Sequence, residues 1–312
     1  MTLDDQAKHL GEPVLLDADT IALVRQLQAE ETRRTGFEPD STSILRKALA
    51  ALRASQLGDA RRAAVVAALL EFGKSLSTHE VRGEPSFTED PEANRLIIED
   101  GFAFLLGVIF DQNVPAERAW GAPFELKRRL GHLDPGRIVA EPERVAKAVQ
   151  QPPKLHRYIN KLPDWIVAAA DRVLRDYGGK AETIWADQPS AQALRQRLDQ
   201  FKGIDQKKAA MAVEILERDL HVSIVKLEGS DIAYDIHVRR VFLRTGLALF
   251  DDPDHMIAIA RQANVARPGA IDFPAWTVGR NWCRAGIPDC PACPLTEACP
   301  KLVERGDAVK GV

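Results

Sequence analysis

A chain of 312 residues, 45% apolar and 28% charged, is long enough for two domains and buries a substantial core. Its formal net charge of −3 excludes a protein that coats nucleic acid by bulk electrostatics, so any nucleic-acid surface must be a local basic patch, and Arg195 to Lys208 is one. The start M-T-L-D-D-Q lacks the basic and apolar segments of a signal peptide, and the longest apolar run, Ala63 to Leu70, is too short to span a bilayer; the expectation is a cytosolic protein with no membrane partner. All four cysteines lie between Cys283 and Cys299, which in a reducing compartment points to metal rather than disulfides.

Residues 1–55 form a separable extension. Pro13-Val14-Leu15-Leu16 is compatible with a short strand, Asp19-Thr20 caps a helical pattern through Ile21, Val24 and Leu27, and Ser41-Thr42-Ser43 caps a second helix carrying Ile44, Leu45, Ala48 and Leu49. This order is similar to a ribbon-helix-helix, a dimeric DNA reader, while the plainer reading is an accessory helical hairpin. Residues 56–94 read as a helix, Ala60 to Lys74, followed by a linker marked by Gly83, Pro85 and Pro91. A helical domain spans 95–282. The apolar run from Glu92 through Leu106 continues to Phe110 and ends at Asp111-Gln112-Asn113, and further helices are expected over Ala116–Leu130, Val139–Gln150 and Pro163–Tyr177, with glycines and prolines as stops. No alternating pattern competes, so the fold class is all-α. His156 and Arg157 read as exposed loop residues, Trp120 and Trp165 as core.

Two helical patterns then meet at Phe201-Lys202-Gly203-Ile204-Asp205, the second bearing Ala209, Ala210, Val213 and Leu216 at helical spacing. This helix-hairpin-helix presents main-chain N–H groups at a helix N-terminus, where a DNA phosphate can be held without any base being read. Lys207 and Lys208 open that helix at the end of the dipole that disfavours cations, unless an anion sits there. After a polar interlude comes Asp235-Ile236-His237-Val238-Arg239-Arg240-Val241. The loop 283–302 carries Cys283-x6-Cys290-x2-Cys293-x5-Cys299 after Gly279-Arg280, a thiolate set that on chemistry alone suits zinc or an iron–sulfur cluster, and 303–312 is a tail.

These segments resemble the helix-hairpin-helix DNA glycosylases of the endonuclease III superfamily, whose hairpin runs approximately L-P-G-V-G-R-K-T-A before V-D-T-H-hydrophobic-x-R-V. The resemblance covers about residues 95–302. It implies a two-lobed helical DNA glycosylase that excises a damaged or mismatched base from duplex DNA. Lys207 falls on the family's nucleophilic lysine and Asp235 on its catalytic aspartate. Gln112 matches the glutamine that enters the duplex where the base has left. Gly203, Asp205, Lys208 and His237 fall at the DNA-binding surface, and Cys283, Cys290, Cys293 and Cys299 on the ligands of a [4Fe–4S] cluster. Asp205 stands where the family has a glycine and Lys202 where it has proline; aspartate tolerates a left-handed turn better than most residues. Associated lyase activity requires a neutral amine, for which Lys208 and the helix N-terminus are expected to depress the Lys207 pKa. The alternatives are a monofunctional glycosylase that activates water, with Lys207 holding a phosphate, and a non-catalytic DNA-binding protein. A monomer is expected unless residues 1–55 are a true ribbon-helix-helix.

Overall fold

The computed structural model describes Thr32 and residues 59–80 and 85–306; the strand and helices expected within residues 1–55 lie outside the described part, apart from helical Thr32. The helices are α1 (Asp59–Glu80), α2 (Pro91–Glu99), α3 (Gly101–Phe110), α4 (Ala116–Leu130), α5 (Pro135–Ala140), α6 (Pro142–Gln150), α7 (Leu162–Tyr177), α8 (Ala191–Leu198), α9 (Gln206–Arg218), α10 (Ile236–Arg244), α11 (Pro253–Ala263), α12 (Asp272–Asn281) and α13 (Val303–Gly306), joined by 3-10 turns. Among the described residues there is no extended strand, only an isolated parallel bridge between Ser190 and Val225. The protein is all-α. No helix among them is long and apolar enough to cross a membrane.

The apolar run expected as one helix up to Phe110 is two. Asp100 leaves helical geometry (φ −122°, ψ 104°) and its carboxylate accepts the Phe102 and Ala103 N–H groups, capping α3. Glu182 accepts the remaining first-turn amide, that of Gly101, at 2.6 Å. All ten residues of α3 are buried, as a helix apolar on every side must be. Around it α2 and α4–α9 build one core, including Phe104, Phe110, Leu126, Ile166, Leu198 and Val213. Trp120 belongs to that core, and Trp165 packs against it.

A second core joins segments far apart in the chain. Val65, Val66 and Leu69 of α1 pack with Val241 and Phe242 of α10, Ala275 and Val278 of α12, and Leu295 of the cysteine loop. Phe72 meets Trp282 edge-on at 5.8 Å between ring centroids. The packing therefore groups α1 with the C-terminal helices rather than with the helix that follows it. The second helix of the hairpin, α9, ends the first lobe and α10 begins the second, so the junction of the lobes is where the two motifs seen in the sequence meet.

The approach of α12 to α10 is set by Gly279: a β-carbon there would lie 2.6 Å from the His237 carbonyl oxygen and 2.8 Å from its Cβ. Backbone cannot yield as a side-chain tip can, so Gly279→Ala is expected to force the helices apart and cost about 1–3 kcal/mol of stability, measurable by chemical denaturation.

Candidate active site

The hairpin is built from an anchor, a turn and a cap. Phe201 is buried, and Gly203 follows with φ +87° beneath Trp165, whose ring would lie 2.6 Å from any β-carbon, so both conformation and space require glycine. Asp205 does not need the left-handed geometry that its place in the motif suggested. Its backbone is extended (φ −110°, ψ −176°) and its carboxylate caps α9 by accepting the Lys208 N–H at 3.0 Å.

The two lysines that open α9 have opposite fates, because consecutive helical residues point about 100° apart. Lys207 Nζ lies 2.9 Å from Asp235 Oδ2 and its side chain is 39% exposed. Lys208 is 3% exposed, and its ammonium donates to the carbonyls of Ile109 (3.0 Å) and Gly203 (2.7 Å). The expectation that Lys208 contacts DNA is therefore corrected: it staples the C-terminal end of α3, where helix carbonyls lack partners, to the hairpin turn. Burial pushes its pKa down to about 8. The basic patch expected from Arg195 to Lys208 is also thinner than its sequence. Arg195 pairs with Asp231 at 2.7 Å and Arg197 with Asp187 at 2.7 Å, while Lys202 remains exposed and Lys207 partly so.

Asp235 is the N-cap of α10, its Oδ1 accepting the His237 N–H at 2.8 Å while Oδ2 faces Lys207. Burial alone pushes the carboxyl up, but the Lys207 ammonium and the His237 amide outweigh it and hold it below the ordinary aspartate value. Burial pulls Lys207 down, and Asp235 by charge and hydrogen bond, with Asp111 and Asp205 behind it, brings it above the ordinary lysine value. The depressed amine expected from the sequence is thus reversed, because a carboxylate in contact acts more strongly than a neighbouring cation. The segment before Asp235 is firmly held. Asp231 is buried and pairs with Arg195 and Arg261, Ala233 N–H donates to Asp272 at 2.7 Å, and the Ile232 carbonyl accepts from Gln206 at 3.0 Å.

His237 is half-buried, its ring edge-on to Trp276 at 6.1 Å, and burial lowers its pKa. Its Nδ1 lies 3.0 Å from Arg240, whose guanidinium donates to the carbonyls of Cys283 (2.6 Å) and Gly279 (2.9 Å). A chain of hydrogen bonds thus runs from Asp235 through His237 and Arg240 to the first cysteine. Gln112 follows α3 and stands beside the site. Its carbonyl lies 3.0 Å from His156 Nε2, and its amide oxygen is buried with no hydrogen-bond partner among the described residues. His156 is 1% exposed, a correction to the exposed loop residue expected; its imidazole holds the backbone of the Gln112 loop. Two residues that the sequence did not single out, Asp111 and Arg240, complete the arrangement. Asp111 lies beside Gln112 and within the fields of Lys207, Lys208, Asp235 and Asp205. Its position next to the motif glutamine was the available signal.

Cys283, Cys290, Cys293 and Cys299 are free thiols lining one cavity with Val241, Arg244 and Leu295. Burial, reinforced by the charges of the other three cysteines, pushes Cys293 up to about 11. Main-chain N–H groups of Leu295 and Lys301 point at the sulfurs of Cys293 (3.5 Å) and Cys299 (3.3 Å), and Arg244 donates to Cys283 Sγ at 3.6 Å. Donors aimed at sulfur suit thiolates, and Cys293 and Cys299, both pushed up by burial, become thiolates most readily around a cationic centre. The donor set therefore fits a thiolate-bound metal group. Among the described residues no three His, Cys, Asp or Glu side chains are arranged to hold a single metal ion.

Fold and geometry together define a helix-hairpin-helix glycosylase fold with a lysine–aspartate pair at the junction of its lobes. Among solved structures it is similar to endonuclease III in a trapped covalent intermediate with DNA, an estranged-adenine complex, at 19% identity and a TM-score of 0.50 over 69% of this chain and 93% of the other. It is also similar to a thermostable thymine-DNA glycosylase, at 15% identity and a TM-score of 0.53 over 80% of this chain and 99% of the other. At these identities the likeness shows the fold. No family model matches the sequence, and no curated protein does.

Lys208 supplies a test of the staple. A lysine whose folded pKa is depressed to about 8 binds fewer protons folded than unfolded, so its burial penalty is full below about 8 and is relieved as pH rises toward the ordinary lysine value. Compared with Lys208→Met, the wild-type protein should gain on the order of 3 kcal/mol in denaturant-measured stability across that window. Parallel pH dependence of the two proteins would contradict the buried, titrating ammonium.

Proposed function

We propose that this protein is a DNA base-excision glycosylase acting on duplex DNA that carries a damaged or mismatched base. The observation that carries the reading is the Lys207–Asp235 pair at 2.9 Å, joining the hairpin to the capped start of α10. Breaking an N-glycosidic bond leaves positive charge on the deoxyribose, and a carboxylate kept ionised and partly desolvated is suited to stabilise it. Asp235 has that character. The hairpin at Gly203, with the α9 N-terminus and exposed Lys202, is suited to grip a phosphate. Gln112 is suited to fill the place of the extruded base, since its unpartnered amide oxygen gives up no protein hydrogen bond on turning outward. A non-catalytic DNA-binding protein has no use for a half-buried lysine–aspartate pair.

Lys207 is read as the nucleophile that attacks C1′ and passes through a Schiff base to strand cleavage. Its proton must first leave, and engagement of Asp235 by the sugar loosens the ion pair that retains it. The retained proton also favours a second reading, in which Asp235 orients water and Lys207 stays a cation beside the DNA. Borohydride present during turnover should trap a covalent protein–DNA adduct that Lys207→Gln abolishes and Lys208→Gln keeps, provided the latter remains folded. Base release without an adduct would select the water route. Asp235→Asn should reduce excision by more than tenfold while keeping duplex binding, because it removes charge and preserves shape; retained turnover would sink the assignment.

The four cysteines are read as ligands of a [4Fe–4S] cluster, supported by the shared cavity, the N–H groups aimed at sulfur and the buried Arg244 guanidinium beside Cys283. Bound there, the group would cross-link the loop 283–302 to itself against the wall that Val241 and Arg244 of α10 provide, and would supply no reacting atom. The purified protein should be yellow-brown with broad absorbance near about 400 nm; a colourless protein with one zinc per chain would overturn the choice of metal.

A further inference from the structure

Three carboxyl groups act on Lys207, and the mechanism above uses only Asp235; Asp205 is committed to capping α9, which leaves Asp111. Asp111 caps the C-terminus of α3, its N–H bonding back to the Gly107 carbonyl at 3.0 Å. Two residues earlier, the Ile109 carbonyl takes the Lys208 ammonium at 3.0 Å, which fixes this end of α3 against the first turn of α9. That contact brings the end of α3, with Asp111, to the start of α9, and the Asp111 carboxyl feels the charges of Lys207, Lys208, Asp235 and Asp205. No described residue donates a hydrogen bond to it, whereas Asp235 and Asp205 each cap a helix. Beside it lies Gln112, the residue read as entering the space of the extruded nucleotide.

We propose that Asp111 is the acid of this site, giving the departing base its proton as the bond to C1′ breaks. The proposal rests on the glycosylase reading. Two carboxyl groups sharing one site divide their roles when their surroundings push their proton affinities apart. Burial pushes Asp111 up even against the charges of Lys207 and Lys208, while contact with Lys207 holds Asp235 down. Of the two, Asp111 is therefore the carboxyl that takes up a proton more readily, and Asp235 the one that gives it up more readily. In the step, the C1′–N bond breaks and its electron pair leaves with the base. The Asp111 proton passes to that base, which departs neutral. Asp111 is left as a carboxylate facing the two lysines, and the sugar cation faces Asp235. Lys207 nitrogen or a water oxygen then bonds to C1′ and releases a proton to solvent, so the overall proton count balances.

The test is single-turnover excision by the full chain, as isolated, on duplexes carrying uracil, 5-fluorouracil, thymine, hypoxanthine or 8-oxoguanine. Binding to a duplex with a tetrahydrofuran abasic analogue is measured alongside. The active form has Asp111 protonated, so the wild-type rate should fall as pH rises through its pKa. Asp111→Asn should slow excision about 100-fold or more and lose that alkaline fall, with abasic-analogue affinity kept within about twofold. If uracil is a substrate, the loss should be smaller for 5-fluorouracil, which leaves more readily as an anion. Lys208, titrating near about 8, is present in both proteins, so a fall owed to Lys208 survives the substitution. An Asp111→Asn protein with the wild-type rate or an unchanged pH profile overturns the proposal and leaves the glycosylase reading standing. Wild-type protein that binds the abasic analogue yet releases no base from any duplex overturns the glycosylase reading and the proposal with it. Should Asp111→Asn fail to fold, Asp111→Glu decides: a displaced alkaline fall supports the acid, an undisplaced one overturns it.

Discussion

Lys207 and Asp235 sit on different lobes, and their contact at 2.9 Å is where the two halves of the protein have to agree. Lys207 is carried by a helix whose other face, Ala209, Val213 and Leu216, is sunk in the first core. Asp235 caps a helix whose Val238, Val241 and Phe242 are sunk in the second. The backbone that carries either residue cannot move far without disturbing a core. Removing one partner leaves the other's charge partly desolvated and uncompensated, which is costly even where the intact pair contributes little net stability. The ion pair is thus better understood as a constraint on geometry than as a source of stability.

That constraint also separates two adjacent lysines into different kinds of group. A turn of about 100° per residue sends Lys207 toward a carboxylate, which retains its proton, and Lys208 into a pocket of carbonyls, which cannot compensate burial to the same degree. The same division holds for the carboxyls. Asp235 has a cation in contact and the His237 N–H as a second partner; Asp111 has cations nearby but no donor among the described residues. Protonation states in this site follow from which way each side chain leaves its helix end.

Much of this was legible in the sequence. Helical periodicity and Gly/Pro stops identify an all-α chain, and the spacing of Phe201, Gly203 and Ala209 identifies the hairpin because only one residue type suits the turn beneath Trp165. What was not legible depends on packing between distant segments. Asp100 divides an unbroken apolar run because its carboxylate can cap the following helix and Glu182 is present to accept the next amide. Lys208 looks like surface charge in sequence, and only the placement of Ile109 and Gly203 makes a buried home for it. His156 is buried for a similar reason, its partner being a carbonyl contributed by the loop after α3. The partner of α1 lies near the other end of the chain, where local pattern carries no information about it.

The union of α1 with the C-terminal helices bears on how the chain reaches its native state. The first lobe is closed by residues 96–216 and can collapse on contacts that are mostly near in sequence. The second cannot close until Ala275, Val278 and Leu295 meet Val65, Val66 and Leu69, across a loop that contains the whole first lobe. Loop-closure entropy makes such distant pairings slow, although a prefolded lobe shortens the effective loop. During synthesis α1 emerges early and waits with an apolar stripe uncovered while most of the chain is still being made. The lobe that carries the cysteines is therefore the last to become complete.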